Sequence, residues 1–259
     1  VFGQGTDPGP DFVKLLEANG RSIIRHLPGQ IDAGHATTVI ALRTNTGVVM
    51  AGDRRATSGH LISHRTIEKV FEADRHSGVA IAGAAGPAVE MVRIFQVQLE
   101  HYEKVEGQQL SLDGKANQLS GMIRGNLPAA MQGLAVVPIF VGYDLRRERG
   151  RLYQFDITGG RYEERDYASS GSGSLHASTV LKLGFTHDMD AGSAIDLALR
   201  ALWHAADEDS ATGGPDPIRG IYPVVATITA DGFDRVAESE LKERVVELTT
   251  NLGIQYGEL

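Results

Sequence analysis

Residues 34–57 read GHATTVIALRTNTGVVMAGDRRAT and contain the pattern from which the architecture of the chain is predicted. This stretch holds two apolar runs, TTVIALR (37–43) and GVVMAGD (47–53), on either side of a short polar turn that ends in glycine. Runs of this kind across such a turn predict a β-hairpin that is buried on at least one face. The beginning of the stretch is unusual, since two adjacent threonines, Thr37 and Thr38, open the first strand after 36 residues of a different character.

The composition of the 259-residue chain excludes several classes of protein. Apolar residues make up 42% and charged residues 22%, which is the balance of an ordinary globular domain. The absence of cysteine excludes disulfides, thiolate metal sites and cysteine nucleophiles, and it fits a reducing compartment. The net charge of −8 argues against nucleic-acid binding, and no apolar run reaches the about 18 residues of a membrane helix. The sequence therefore predicts a cytoplasmic protein that binds neither nucleic acid nor membrane.

The segment 1–36 differs in amino-acid composition and pattern from the rest of the chain. It is punctuated by glycine and proline and contains two short amphipathic pieces, at 11–19 and 22–27. The acidic residues Asp7 and Asp11 and the lack of a long apolar core make it a poor signal peptide. From composition alone it is interpreted as a disordered tail or the remnant of a tag.

Apolar residues spaced three and four apart predict the long helices. One stripe predicts a helix at 86–105 and another predicts a helix at 191–207. A further helix is predicted at 112–133, where Pro128 should kink or break it. With the strands included, the predicted order is strands, two helices, strands, two helices, strands and a closing helix. This order favours antiparallel sheets with helices layered outside them.

Two charged segments lie between the pairs of helices. DLRRERGR (144–151) predicts a solvated hairpin tip, and RYEERDYA (161–168) predicts a single strand. The first segment is interpreted as a solvated tip and nothing more.

Familiar catalytic motifs are missing, so the candidate site rests on weaker signals. The sequence has no G-x-x-x-x-G-K-[ST] phosphate loop, no H-E-x-x-H zinc helix and no G-x-S-x-G nucleophile elbow. What remains is the threonine pair, the motif GDRR (52–55) with Lys69 further on, and two hydroxyl-rich loops, SGSGS (170–174) and DSATGG (209–214). Taken singly, these are more typical of charged turns, a surface lysine and a flexible linker than of a site.

Taken in order, however, the motifs resemble those of proteasome core-particle β subunits, most closely the actinobacterial type. The resemblance covers residues 37–259 and is carried by TTVIAL, GVVMAGDRRAT, EKV, IAGAAG, QLEHYEK, RGNL, AAMQGL, GSGSL, DEDSATGGPD and RGIYP. It implies an α+β fold in which two antiparallel sheets lie between helix layers. This four-layer αββα sandwich is the fold of N-terminal-nucleophile (Ntn) hydrolases.

The resemblance also implies a hidden N-terminus. Autocatalytic removal of residues 1–36 as a propeptide would make Thr37 the first residue of a mature catalytic domain that spans 37–259. Its hydroxyl would be the nucleophile and its own α-amine the general base, since an amine with a pKa of about 7.7–8.0 suits that task near neutral pH. The other catalytic roles carry over by motif match: Asp53 orients the cation of Lys69, the N–H of Gly83 stabilises the oxyanion, and Ser172, Asp209 and Thr212 surround the amine.

The same match predicts how substrate binds. Thr57 and Gly83 would hydrogen-bond an extended peptide. The specificity pocket maps to apolar residues and therefore predicts chymotrypsin-like cleavage after large hydrophobic residues: Ala56, Ile67, Ile81, Ala85 and Val89. The family usually has glycine before the nucleophile, whereas this chain has Ala36. Because glycine adopts a twisted backbone most freely, alanine there predicts slow but not abolished cleavage of the Ala36–Thr37 bond.

Partners are implied by the resemblance alone. It implies four stacked seven-membered rings built with proteasome α subunits and other β subunits, an ATP-dependent unfoldase ring, and protein substrates marked by a ubiquitin-like protein. It calls for no metal or organic cofactor. Two alternatives stay open. One is a non-catalytic ring subunit like the α subunits, and the other is a different Ntn hydrolase, such as the simpler bacterial ATP-dependent protease or a small-molecule amidase.

Overall fold

The computed structural model describes residues 37–253. The segment 1–36, with its two amphipathic pieces and Ala36, lies outside the described residues, and so do residues 254–259. The described part contains the strands β1 (Thr38–Arg43), β2 (Gly47–Gly52), β3 (Ala56–Ser58), β4 (Leu61–His64), β5 (Val70–Asp74), β6 (Ser77–Ala80), β7 (Ile139–Asp144), β8 (Arg149–Phe155), β9 (Arg161–Glu164), β10 (Tyr167–Gly171), β11 (Val224–Thr229) and β12 (Gly232–Arg235).

The strands form two five-stranded antiparallel sheets and a separate hairpin. The first sheet has the order β10-β1-β2-β11-β12, and the second has the order β5-β6-β7-β8-β9. The hairpin consists of β3 and β4. In the first sheet β1 pairs with β2 through the predicted tight turn, where the Thr44 N–H donates to the Gly47 carbonyl at 2.9 Å. The β-hairpin predicted from residues 37–53 is therefore confirmed.

Helices cover the outer faces of both sheets. They are α1 (Ala85–Glu106), α2 (Leu112–Gly125), α3 (Leu127–Ala130), α4 (Ser174–Gly184), α5 (Ala191–Glu208) and α6 (Glu238–Asn251). Side chains cap two of them: Ser111 accepts from the third residue of α2, and Asp190 accepts from the third residue of α5. Within residues 37–253 no helix combines the length and the apolar character that a bilayer crossing requires.

Strand β1 shows how the layers are assembled. Val39 and Ala41 point into an apolar cluster that they share with residues of β7 and β8 from the second sheet. Ile40 and Leu42 point the other way, into a cluster formed with α4, α5 and α6. Successive side chains of a strand face opposite sides, so β1 is buried on both faces. On the far face of the second sheet, Phe140 packs with α1 and α2. The layers are helices, sheet, sheet, helices, and the predicted α+β sandwich is confirmed.

The helix predicted at 112–133 is in fact two helices. α2 ends at Gly125, and α3 begins at Leu127 after the intervening Asn126. Pro128 lies in the first turn of α3, a position that tolerates proline because its missing N–H would have no helical partner there. The break was expected, but it precedes the proline instead of falling on it.

The single strand predicted at 161–168 is wrong. Its first half is β9, at the edge of the second sheet, and its second half begins β10, at the edge of the first sheet. The chain crosses from one sheet to the other between them. This crossing brings the end of β10 beside the start of β1, so it positions the loop that follows β10.

The solvated hairpin tip predicted at 144–151 is wrong for its last two residues, because Gly150 and Arg151 are buried. Arg151 is only 3% exposed. Its guanidinium donates to Asp113 at 2.8 Å, to Glu163 at 2.6 Å and to Asp144 at 3.1 Å. A buried arginine is stable only with such partners. The cluster joins α2 to β8 and β9 at the end of the second sheet.

Candidate active site

Thr37 lies one residue before β1, the strand between β10 and β2. The residue is 4% exposed. The Ser172 N–H donates to the Thr37 carbonyl at 2.9 Å, which continues the ladder between β1 and β10 past the pair of Thr38 and Gly171. The Thr37 nitrogen is a peptide N–H, and it donates to Ser172 Oγ at 3.4 Å. Both ends of this residue are therefore held by the loop after β10.

Asp53 follows β2 directly and is fully buried. Its Oδ1 accepts from the Thr38 N–H at 2.8 Å and from Lys69 Nζ at 2.5 Å. Its Oδ2 accepts from the N–H of Arg55 at 2.9 Å and from the N–H of Gly213 at 2.8 Å. A carboxylate offers about four acceptor positions, so this one has its full set of donors. Pairing and hydrogen bonding of this kind are what allow a charge to be buried.

Lys69 immediately precedes β5 and is 2% exposed. Besides its ion pair with Asp53, its ammonium donates to the Arg55 carbonyl at 2.6 Å. Burial lowers the pKa of Lys69, while the charge of Asp53 acts in the opposite direction. The predicted pair of Asp53 and Lys69 is thus brought together as a buried ion pair, one residue away from Thr37 through Thr38.

Ser172, Asp209 and Thr212 form a second polar group at Thr37. Asp209 Oδ2 accepts from Ser172 Oγ at 2.5 Å and from Thr212 Oγ1 at 2.6 Å, and Oδ1 accepts from the Ala211 N–H at 3.1 Å. Burial pushes the pKa of Asp209 upward, but the hydrogen bonds from Ser172 and Thr212 outweigh it, and the net direction is downward. Asp209 is therefore ionised at neutral pH, and Ser172 connects it to the Thr37 nitrogen.

Gly83 lies between β6 and α1 with a φ of 110°, a conformation that favours glycine. A Cβ at this position would lie 2.1 Å from the carbonyl oxygen of Ala135. Gly83 also forms an antiparallel bridge with Val136. Backbone conformation and packing thus both require glycine here, while its role as an oxyanion donor stays a prediction.

The predicted substrate-binding residues come from four places along the chain. Ala56 and Thr57 lie in β3, Ile67 lies between β4 and β5, Ile81 follows β6, and Ala85 and Val89 lie one turn apart on α1. Ile81 and Val89 belong to the same apolar cluster. The N–H of Ile81 donates to the Lys69 carbonyl at 2.8 Å, which connects this part of the predicted pocket to the ion pair. Ala56 and Thr57 lie on the segment that leads away from Asp53.

Sequence reasoning missed two residues of the site. Thr38 is fully buried, and its hydroxyl oxygen lies 2.6 Å from Thr212 Oγ1. Gly171 has a φ of 104°, and a Cβ there would lie 1.8 Å from the Thr37 carbonyl oxygen. The available signals were the doubled threonine and the glycines that alternate with serines at 170–174. Both are easily interpreted as an ordinary strand and an ordinary linker.

The acidic residues of the site bind protein groups. Asp53 and Asp209 accept hydrogen bonds from amides, hydroxyls and Lys69. Across residues 37–253, no three His, Asp or Glu side chains are grouped so that they could hold a metal ion.

The chain is similar to known proteins over most of its length. A family model described as proteasome subunit matches residues 33–218. A protein named proteasome subunit beta from Acidimicrobium ferrooxidans is 58% identical, over 96% of this chain and 92% of the relative. Proteins of the same name from Streptomyces griseus and Jonesia denitrificans are 54% and 56% identical, over 86% and 90% of this chain and 80% of each relative. The chain therefore belongs to the proteasome subunit family and, within it, to the β subunits of the actinobacterial type.

Proposed function

We propose that this chain is a threonine endopeptidase subunit of the proteasome core particle, with Thr37 as its nucleophile. The observation that carries the proposal is the fully buried carboxylate of Asp53, which accepts from both the Thr38 N–H and the Lys69 ammonium. Burying an ion pair is costly, and apolar residues of similar volume often stabilise a fold as well or better. A buried pair beside a threonine whose nitrogen contacts Ser172 is what a catalytic subunit needs, whereas a purely structural subunit does not need it.

Activity depends on cleavage of the Ala36–Thr37 bond. The Thr37 hydroxyl attacks the Ala36 carbonyl, the Ala36–Thr37 C–N bond breaks as the ester C–O bond forms, and the hydroxyl proton ends on the departing nitrogen. Water then hydrolyses the ester, which leaves a carboxylate on Ala36 and a free amine on Thr37. Residues 1–36 are thus a propeptide, and residues 37–259 are the mature chain. The cut creates the base, because a peptide nitrogen cannot accept the proton of the hydroxyl.

Peptide hydrolysis follows the same chemistry on an external substrate. The amine takes the hydroxyl proton as the Thr37 oxygen attacks the peptide carbonyl, and the Gly83 N–H donates to the oxyanion. The protonated amine then delivers its proton to the leaving nitrogen, and an acyl ester remains until water hydrolyses it. The cation of Lys69 stabilises negative charge on the reacting oxygen. Asp209 orients the amine through Ser172, and Thr212 completes that group.

The assembly context is part of the proposal. As a member of the proteasome family, the chain acts within four stacked seven-membered rings, with α subunits and other β subunits as its partners. An ATP-dependent unfoldase ring supplies unfolded proteins, some of them marked by a ubiquitin-like protein. The complex is cytoplasmic, and its chemistry uses no metal or organic cofactor. The resemblance to actinobacterial β subunits supports this context.

Mass spectrometry of the purified complex tests the proposed function directly. We expect a chain that starts at Thr37 and accumulates slowly, because Ala36 stands where glycine would twist most freely. An epoxyketone inhibitor, which reacts with an N-terminal hydroxyl and amine together, should add one equivalent to Thr37 of the processed chain. A processed chain without an adduct, or full-length chain after long incubation, would favour a non-catalytic ring subunit instead.

The apolar pocket makes a separate prediction about specificity. The residues assigned to it carry no charge, and Ile81 and Val89 contribute to one apolar cluster. Burial of a large apolar side chain stabilises a complex by about 1.5–3 kcal/mol, so peptides with Leu, Phe or Tyr before the cut should be cleaved about 10- to 100-fold faster than peptides with Arg or Glu. A panel of fluorogenic peptides measures this, and a preference for a charged residue would contradict the pocket assignment.

A further inference from the structure

Thr38 contacts both polar groups of the site. Its N–H donates to Asp53 Oδ1 at 2.8 Å. Its hydroxyl accepts from the Gly173 N–H at 3.1 Å and lies 2.6 Å from Thr212 Oγ1. The residue is 0% exposed, so solvent does not supply substitute partners. Thr38 therefore connects the group around Asp53 with the group around Asp209.

A count of protons fixes the direction of the hydrogen bonds in this network. Ionised Asp209 can only accept, so Ser172 and Thr212 must each donate their single hydroxyl proton to it. With that proton committed, Thr212 Oγ1 can only accept in its contact with the neighbouring threonine. Thr38 must therefore be the donor in the 2.6 Å contact.

These hydrogen bonds form a series in which every donor points toward the carboxylate of Asp209. The Gly173 N–H donates to Thr38, Thr38 donates to Thr212, and Thr212 donates to Asp209. From the other side, the Thr37 nitrogen donates to Ser172, and Ser172 donates to the same carboxylate oxygen. Hydrogen bonds in such a series strengthen one another by polarisation.

We propose that Thr38 is a positioning residue for the Thr37 nucleophile, and that its hydroxyl holds Thr212 as a donor to Asp209. This inference rests on the proposed function, since it assigns a role in the reaction of Thr37. With Thr212 held in this orientation, Asp209 takes the Ser172 proton, and Ser172 keeps a lone pair directed at the Thr37 nitrogen. Thr38 touches neither substrate nor reacting atoms in this scheme and acts through the hydroxyls beside it.

Thr38→Val and Thr38→Ser separate the hydroxyl from the methyl group. Valine keeps the shape, the β-branching and the N–H to Asp53 but removes the hydroxyl, whereas serine keeps the hydroxyl and loses the methyl. We expect kcat of Thr38→Val to fall about tenfold with KM unchanged. This loss is smaller than the roughly 100- to 10,000-fold that a positioned proton-transfer group contributes, because Thr38 only orients such a group. Thr38→Ser should restore most of the rate. Rates are measured on the assembled complex and divided by the amount of chain that starts at Thr37.

A double-mutant cycle tests whether the effect runs through Thr212. Thr212→Val alone should lower kcat, and adding Thr38→Val to it should lower kcat little further, because the two hydroxyls act in one chain. Thr249→Val is the matched control. Thr249 is buried at 5% exposure in α6, its hydroxyl donates to the Val246 carbonyl, and its loss should leave kcat unchanged.

The outcomes distinguish this inference from the proposed function. If Thr38→Val equals Thr38→Ser in both processing and kcat, or if the effects of Thr38→Val and Thr212→Val multiply independently, the positioning role is overturned. Thr37→Ala in the same assembly serves as the background measurement. Activity retained by Thr37→Ala would overturn the proposed function itself, whereas an inactive Thr37→Ala beside a fully active Thr38→Val would overturn only the inference.

Discussion

Asp53→Asn is expected to lower kcat for peptide hydrolysis by about 1,000-fold or more, the range known for buried carboxylates that hold a catalytic group in place. The substitution preserves the shape of the side chain and replaces one acceptor oxygen with an NH₂ donor. If the new donor takes the Oδ2 position, it faces the N–H groups of Arg55 and Gly213, which also donate. If it takes the Oδ1 position, it faces the donors of Thr38 and Lys69.

Lys69 is affected in the same variant. Burial already lowers its pKa, and the charge of Asp53 is what opposes that shift. Without the carboxylate the pKa of Lys69 falls further, so the lysine loses its proton more readily near neutral pH. The positive charge beside Thr37 is then weakened, and with the new donor at the Oδ1 position the Thr38 N–H loses its acceptor as well. Steady-state peptide hydrolysis and the fraction of processed chain both report the effect.

The chain offers a matched control for this prediction. Buried Lys115 of α2 forms an ion pair at 2.5 Å with the partly buried Asp74 of the second sheet. Asp74→Asn should cost about 1–3 kcal/mol of folding stability through the same kind of donor conflict, while kcat per assembled subunit stays unchanged. Equal losses of kcat in both variants would mean that Asp53 supports only the fold, and an Asp53→Asn enzyme within tenfold of the wild type would contradict its assigned role.

Gly171→Ala is expected to lower kcat by at least about 100-fold, the loss that a misplacement of about 1 Å can cause in a catalytic group. The added Cβ would lie 1.8 Å from the Thr37 carbonyl oxygen, and the φ of 104° is strained for alanine. The collision is with main-chain atoms, so no side-chain rotation relieves it. The start of β1 must move away from β10, and Thr37 moves with it relative to Ser172 and Asp53.

A second glycine serves as the control for Gly171→Ala. A Cβ on Gly121, in α2, meets no atom within 4 Å, and alanine favours a helix more than glycine does. Gly121→Ala should keep full activity and equal or higher thermal stability. Peptide hydrolysis, melting temperature and processing are measured on both variants. A fully active Gly171→Ala would show that the contact between β10 and the nucleophile has no bearing on catalysis.

Local sequence pattern was enough for the hairpin of β1 and β2 and for the helices α1 and α5. α1 buries one stripe of side chains at three- and four-residue spacing, as the periodicity predicts: Ala88, Met91, Val92, Phe95 and Leu99. The ordered motifs also predicted which residues the fold brings together, since Lys69 meets Asp53 and Ser172 meets Asp209. These signals are local, or they come from a family resemblance that covers residues 37–259.

The features that sequence could not predict depend on distant partners. The boundary between β9 and β10 is set by which sheet each segment can pair with, and the run of charges at 161–168 carries no such information. Arg151 is buried because Asp113, 38 positions away, approaches it from α2. Thr38 has the β-branched side chain that strands commonly contain, and only the fold brings it to Thr212, 174 positions away.

The contacts at the start of β1 exist while the peptide bond before Thr37 is intact. The Ser172 N–H already holds the Thr37 carbonyl, and Asp53 already holds the N–H of the next residue. Under the proposed function, the latency of this zymogen is chemical instead of conformational, because these contacts are in place before the amine is freed. Maturation would then require no refolding. A ligand that leaves the peptide bond before Thr37 intact could not activate the enzyme.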